Sequence, residues 1–190
     1  MLKIGVIIMA LMSCLHAGWF GDLFDDTPKP PIEVPIDMSK AGIVADFVIR
    51  SDDSEKYRDF WLVFVRYPSG KYREEIKDST PWLDEFIGGG TRNIDGSEIK
   101  GTITPVKLTI YRLEKDKEPT LFYEATIEAG GRDARGFYLL DGRKMAHDMR
   151  WVKEMRLPKG KYRIRLENLK AFPELKEIEM YFAIHGMRKI

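Results

Sequence analysis

The chain has 190 residues, 44% hydrophobic and 32% charged, with a formal net charge of +1. That balance suits one globular domain with a real core, and excludes a disordered chain or a global field for nucleic acid. The single cysteine, Cys14, lies in the N-terminal leader, so the folded part has no disulfide, thiolate metal site or cysteine nucleophile.

Residues 1–17 open with Lys3 and continue as a short apolar run, the order of a secretory signal. Two processing sites are open. Leu11-Met12-Ser13-Cys14 resembles a bacterial lipobox, which would make Cys14 the lipidated first residue; a signal peptidase would instead cut after Ala17. Lipidation is preferred because it gives the cysteine a purpose. Residues 18–38 then read as a Pro-rich extended tether, and residues 39–190 as a single domain.

Within the domain, alternation over 42–50 predicts a strand, and Phe60-Trp61-Leu62-Val63-Phe64-Val65, apolar on both faces, predicts a central one. Residues 69–87 predict one or two short helices; Thr80-Pro81 is a cap followed by a first-turn proline, and Gly88-Gly89-Gly90 is a stop. The three glycines follow a helix instead of opening one, so a phosphate loop is not indicated. TRNIDGSEIK (91–100) holds oxygen ligands around a glycine, but lacks the full calcium-loop pattern and reads as a turn. Val106, Leu108 and Ile110 against Tyr123, Ala125 and Ile127 predict a hairpin, and 130–136 predicts a long flexible loop.

Two strands close the domain. Tyr162, Ile164 and Leu166 alternate with Lys161, Arg163 and Arg165; Ile178, Met180, Phe182 and Ile184 alternate with Glu179, Tyr181, Ala183 and His185. Each is expected to bury one face and wet the other. Leu157-Pro158-Lys159-Gly160-Lys161-Tyr162 is similar to the tyrosine corner of Greek-key sandwiches. The expected fold is mainly β: an antiparallel β-sandwich of Ig-like or Greek-key type with one or two short helices.

Catalytic signals are absent. There is no Gly-x-Ser-x-Gly elbow, His-Glu-x-x-His pair or Walker loop, and His147 and Asp148, as strand neighbours, should face opposite ways. No cofactor and no metal is expected. Carboxylates are plentiful enough for a glycoside hydrolase pair, but nothing marks one out. Charge is unevenly spread: residues 18–60 hold ten acids against five bases, residues 129–170 twelve bases against five acids. Arg132, Arg135, Arg143, Lys144, Arg150, Lys153, Arg156, Lys161, Arg163 and Arg165, with Tyr138 and Trp151 among them, form a candidate partner surface, because arginine and aromatics concentrate binding energy. Arg132, Arg135, Arg150, Trp151, Lys161, Arg163 and Arg165 lead that set.

The strands at 42–49 and 60–64, the helix ending at Ile87-Gly88, Pro105-to-Tyr111, Leu157-Pro-x-Gly-x-Tyr162 and Phe172-Pro-Glu-Leu175 together resemble a family of exported bacterial β-sandwich lipoproteins known only as a domain of unknown function. The resemblance spans about residues 35–184. It implies a sandwich in the cell envelope and brings no catalytic residues. The expected protein is a non-catalytic binding protein facing the periplasm, lipid-anchored to the outer membrane. Its expected partner is a protein, in an immunity-type role, or an anionic envelope polymer, and not nucleic acid. The alternative is an envelope-glycan-binding accessory protein or glycan hydrolase.

Overall fold

The computed structural model describes residues 25–53, 56–68, 81–88, 101–131, 134–140 and 143–186. Its strands are β1 (Ile32–Ile36), β2 (Gly42–Ser51), β3 (Tyr57–Pro68), β4 (Thr104–Leu113), β5 (Thr120–Ala129), β6 (Ala134–Leu140), β7 (Arg143–Arg156), β8 (Gly160–Asn168) and β9 (Met180–Gly186). One helix, α1 (Pro81–Ile87), and a single 3₁₀ turn at Pro173–Leu175 complete the described elements. Five strands in the order β1-β9-β3-β7-β6 form one sheet and four in the order β2-β8-β4-β5 the other. All pairings are antiparallel. The expected antiparallel sandwich is the fold.

The core lies between the sheets. Phe60, Leu62, Phe64, Val152, Phe182 and Ile184 meet Ala45, Ile49, Val106, Leu108, Ile110, Tyr162, Ile164 and Leu166, all buried. Phe182 of one sheet packs edge-on against Phe47 of the other, ring centroids 6.2 Å apart. β3 is the middle strand of its sheet, which explains why its central run Phe60–Val65 is apolar on both faces. The hairpin β4–β5 has the expected register, Leu108 opposite Ala125 and Ile110 opposite Tyr123.

The tyrosine corner is present. Tyr162 is fully buried and donates its hydroxyl to the Pro158 carbonyl at 2.7 Å, so the turn before β8 is tied to the strand it feeds. Desolvation raises the Tyr162 pKa, which keeps the phenol a donor. Beside it, the Ser51 hydroxyl donates to the Leu157 carbonyl at 2.8 Å. At the other end of β8, Asn168 donates to the Met38 and Lys40 carbonyls at 3.0 and 2.8 Å, fixing the loop that leads into β2.

Several expectations change. Residues 32–36, placed in the tether, form the edge strand β1 against β9; Pro35 is tolerated because an edge strand needs only one side of its ladder. Arg50 also donates its backbone N–H to the Pro28 carbonyl at 2.8 Å, so the Pro-rich stretch is docked from its middle onward. In β2 a bulge between Ile43 and Ala45 breaks the alternation, and Ile43 is 57% exposed while Ala45 and Ile49 are buried. The expected loop over 130–136 is shorter, since Ala134, Arg135 and Gly136 already pair in β6. Finally, the face of β9 expected to meet water is dry at Tyr181 and Ala183, which join Val63, Val65 and Met149 in a second apolar cluster. Residues 69–80 and 91–100, with the Thr80 cap and the ligand-bearing turn, lie outside the described residues.

Tyr162→Ala should cost about 3–5 kcal/mol, as a large-to-small core change. Tyr162→Phe, which loses only the hydroxyl bond, should cost about 0.5–1.5 kcal/mol. Urea denaturation midpoints measure both; equal losses would mean that the ring is not packed as described.

Candidate functional site

The predicted surface residues fall in three different places. Arg150 is not on the surface. It lies on the inward face of β7 opposite Leu62 and is fully buried, so its assignment to a partner surface is corrected. Its guanidinium donates to the Phe86 and Ile87 carbonyls at 2.5 and 2.9 Å, to the Gly131 carbonyl at 3.1 Å and to the Thr104 hydroxyl. It also lies over the Phe64 and Phe86 rings, 5.4 and 5.2 Å from their centroids. A cation at the C-terminal carbonyls of α1 satisfies acceptors that a helix end leaves unpaired. The same helix end forces a glycine at 101, where a Cβ would sit 2.5 Å from the Ile87 carbonyl oxygen, and φ is +69°.

Lys161, Arg163 and Arg165 do share the outward face of β8, but acids pair with each of them and offset part of the charge. Arg163 grips the Asp46 carboxylate of β2 at 2.6 and 2.8 Å, and Arg165 reaches the same carboxylate at 3.0 and 3.2 Å. Arg163, then Arg165, hold the Asp46 carboxyl below its usual range. Lys161 meets Asp25 at 2.8 Å, and Arg50 meets it at 3.3 Å. These contacts hold Asp25 far below the ordinary carboxylate range, Lys161 first among the causes, then Thr27. Asp25, Arg50, Ser51, Asp52, Lys159, Gly160 and Lys161 line an open depression of about 380 Å³. Its charges pair with one another, Lys29 and Arg50 both reaching Asp52 at 2.6 and 2.8 Å.

Trp151 lies on the far side of the molecule from that row. It is 42% exposed, on the outer face of the five-stranded sheet, directly opposite Trp61 of β3. Trp61 packs on the buried cluster of Val63, Val65, Met149, Tyr181 and Ala183, and Trp151 stands opposite it. One step along the same face, Asp59 stands opposite both Glu154 of β7 and His185 of β9. Burial, then the neighbouring Glu154 charge, raise the Asp59 pKa. His185 contacts the Glu33 carboxylate at 3.3 Å. This second site was not legible in the sequence, because Asp59 and Glu154 are 95 positions apart and meet only through register.

Arg132 and Cys14 lie outside the described residues, as do the side chains of Arg135, Tyr138, Arg143 and Lys144. Lys153 extends toward Tyr123, 5.6 Å from the ring centroid, and Arg156 stacks at 4.5 Å over Tyr57. His147 and Asp148 are both buried, and Asp148 pairs with Arg66, which reaches Asp84 of α1 at 2.7 Å. Among the described residues no group of three His, Cys, Asp or Glu could hold a metal, and no helix is long and apolar enough to cross a membrane.

Residues 33–186 match the family model described as Domain of unknown function (DUF5625). The chain belongs to that family. The matched span runs from within β1 to the end of β9, so the docked edge strand is part of the family domain. Among solved structures, the crystal structure of GEBA250068378 from Sulfurospirillum deleyianum is similar, with 23% identity and a TM-score of 0.63. The similarity covers 84% of this chain and 98% of that one, and shows that the two share a fold. No curated protein matches.

Two stability tests follow from the two buried arrangements. Arg150→Met should destabilise by more than about 3 kcal/mol, since three carbonyls and a hydroxyl lose a charged donor in a dry interior. Asp59 gives the opposite sign. Its folded pKa lies above its unfolded value, so ionisation favours the unfolded chain, and stability falls as pH rises through that interval. Asp59→Asn should therefore raise Tm at pH 7 and leave it unchanged at pH 3. A Tm at pH 7 equal to or below wild type would contradict the account of Asp59.

Proposed function

We propose that this DUF5625 protein is a non-catalytic binding protein of the bacterial envelope that captures a protein partner on the outer face of its five-stranded sheet. The observation that carries this reading is the Trp61–Trp151 pair, with Trp151 42% exposed and Trp61 packed on the buried apolar cluster. Tryptophan is among the residue types on which interface energy concentrates. The other outer face has its arginines paired with Asp46 and exposes no tryptophan among the described residues.

Export is supported by the Lys3-then-apolar leader, and a lipid anchor by Cys14 at the end of Leu11-Met12-Ser13-Cys14. An immunity-type role, blocking a toxin delivered to the envelope, is the concrete version of this reading. A glycan-binding role is the second reading, favoured by one observation: carboxylates Asp59 and Glu154 adjoin the two indoles on one face, a combination that suits sugar hydroxyls and rings.

Trp151→Ala should reduce capture of the partner from envelope extract at least tenfold without lowering Tm, and Arg163→Ser should leave capture unchanged. Capture lost with Arg163→Ser but kept with Trp151→Ala would move the site to the opposite sheet. For the anchor, wild type should label with palmitate and partition into detergent, whereas Cys14→Ser should do neither. Equal labelling, or a mature N-terminus at Gly18, would remove the lipid from the proposal.

A further inference from the structure

The outer face of the five-stranded sheet carries a pair of facing carboxylates, Asp59 and Glu154, that its own fold offsets only in part. Asp59 and Glu154 are directly opposite across β3 and β7, and like charges in that position repel. The cation best placed to sit between them by sequence is Lys153, but it is turned away. Between Phe60 and Trp61 the ladder slips by one residue: Phe60 faces Lys153, and Trp61 faces Trp151, leaving Val152 as the extra residue of a bulge. Bulges re-aim side chains and gather next to functional sites. Here the bulge sends Val152 into the core and Lys153 toward Tyr123 of the other sheet, while it brings Trp151 level with Trp61 on the outer face. His185, the other neighbour of Asp59, offsets part of its charge and also contacts Glu33, and Arg156 is engaged with the Tyr57 ring.

We propose that Asp59 and Glu154, together with the indoles of Trp61 and Trp151, form a subsite for a basic side chain, arginine or lysine, of the partner protein. The inference rests on the binding-protein reading above and names the chemistry that site would recognise. A cation placed there relieves the Asp59–Glu154 repulsion, gains two charge-assisted hydrogen bonds and lays its stem or guanidinium plane on indole faces. A neutral sugar would leave the repulsion in place, which is why the basic group is favoured over the glycan. The subsite also gives a role to two half-buried acids that stand face to face across β3 and β7.

The test uses the full chain with its Trp61 and Trp151 indole N–H resonances assigned. The probe is an acetylated tetra-arginine peptide, with tetra-citrulline, of the same shape but uncharged, as comparison. Both indole signals should shift saturably with tetra-arginine at 20 mM salt. Affinity should fall at least tenfold for tetra-citrulline and for Asp59→Asn/Glu154→Gln, and should weaken as salt rises. That double variant removes a repulsion, so it should fold, and Tm confirms this. Equal binding by the variant, equal binding of citrulline, or a response to chitotetraose and none to tetra-arginine overturns the subsite. Partner capture separates this from failure of the broader reading. If Trp151→Ala loses the partner while the double carboxylate variant keeps it, the subsite falls and the binding face stands. If neither variant alters capture, the binding face falls as well.

Discussion

A guanidinium in a dry interior must have every donor placed, and in this fold that requirement falls on Arg150. Its partners come from three segments: the last carbonyls of α1, the start of β4 and the turn at Gly131. A helix of seven residues has no stability of its own in water. It is held here because its C-terminal carbonyls are spent on Arg150 and on the Thr102 N–H, 2.7 Å from the Phe86 oxygen. Two residues before Arg150 on the same inward face, Asp148 anchors Arg66, which holds Asp84 of that helix. One strand thus carries a buried cation and a buried anion, and together they set where the end of the sandwich closes.

The parts of the fold that were readable from the sequence are those in which one physical rule acts alone. β8 alternates because its apolar side packs in the core and its basic side meets water, and the tyrosine corner announces itself through Leu157-Pro158 and Tyr162. β3 reads as central because nothing polar interrupts Phe60–Val65. Legibility failed where a second rule overrode the first. β1 was hidden by prolines that an edge strand tolerates. Arg150 belonged by composition to a run of surface bases, and nothing local reveals that the inward face of β7 is polar at that level, since the acceptors are carbonyls of Phe86 and Ile87 more than sixty positions away. The basic row on β8 was legible, but the pairing of Arg163 with Asp46 depends on a strand pairing that spans 117 positions.

The two outer faces of the sandwich have come out unlike each other. The four-stranded sheet presents a lattice of opposite charges, Asp46 between Arg163 and Arg165, with Lys107 and Glu124 paired at 3.0 Å further along. Such a face is self-sufficient in water. The five-stranded sheet presents two tryptophans over an apolar cluster and a pair of facing acids. That asymmetry is why the proposed partner is placed on this face.

The docking of the segment before β2 has a mechanical consequence. Asp25 is fastened to Lys161 and Arg50, and β1 follows as an edge strand whose first residue, Ile32, lies opposite Ile184 near the end of β9. Tension arriving from the N-terminal side therefore runs along β1 and slides it against β9, so the hydrogen bonds of five residue pairs share the load at once instead of opening one by one like a zip. The charge clasp at Asp25 gives first and the strand behind it resists. A domain pulled from that side while its outer face is held would keep its sheet intact under forces that would peel a strand attached in the opposite sense.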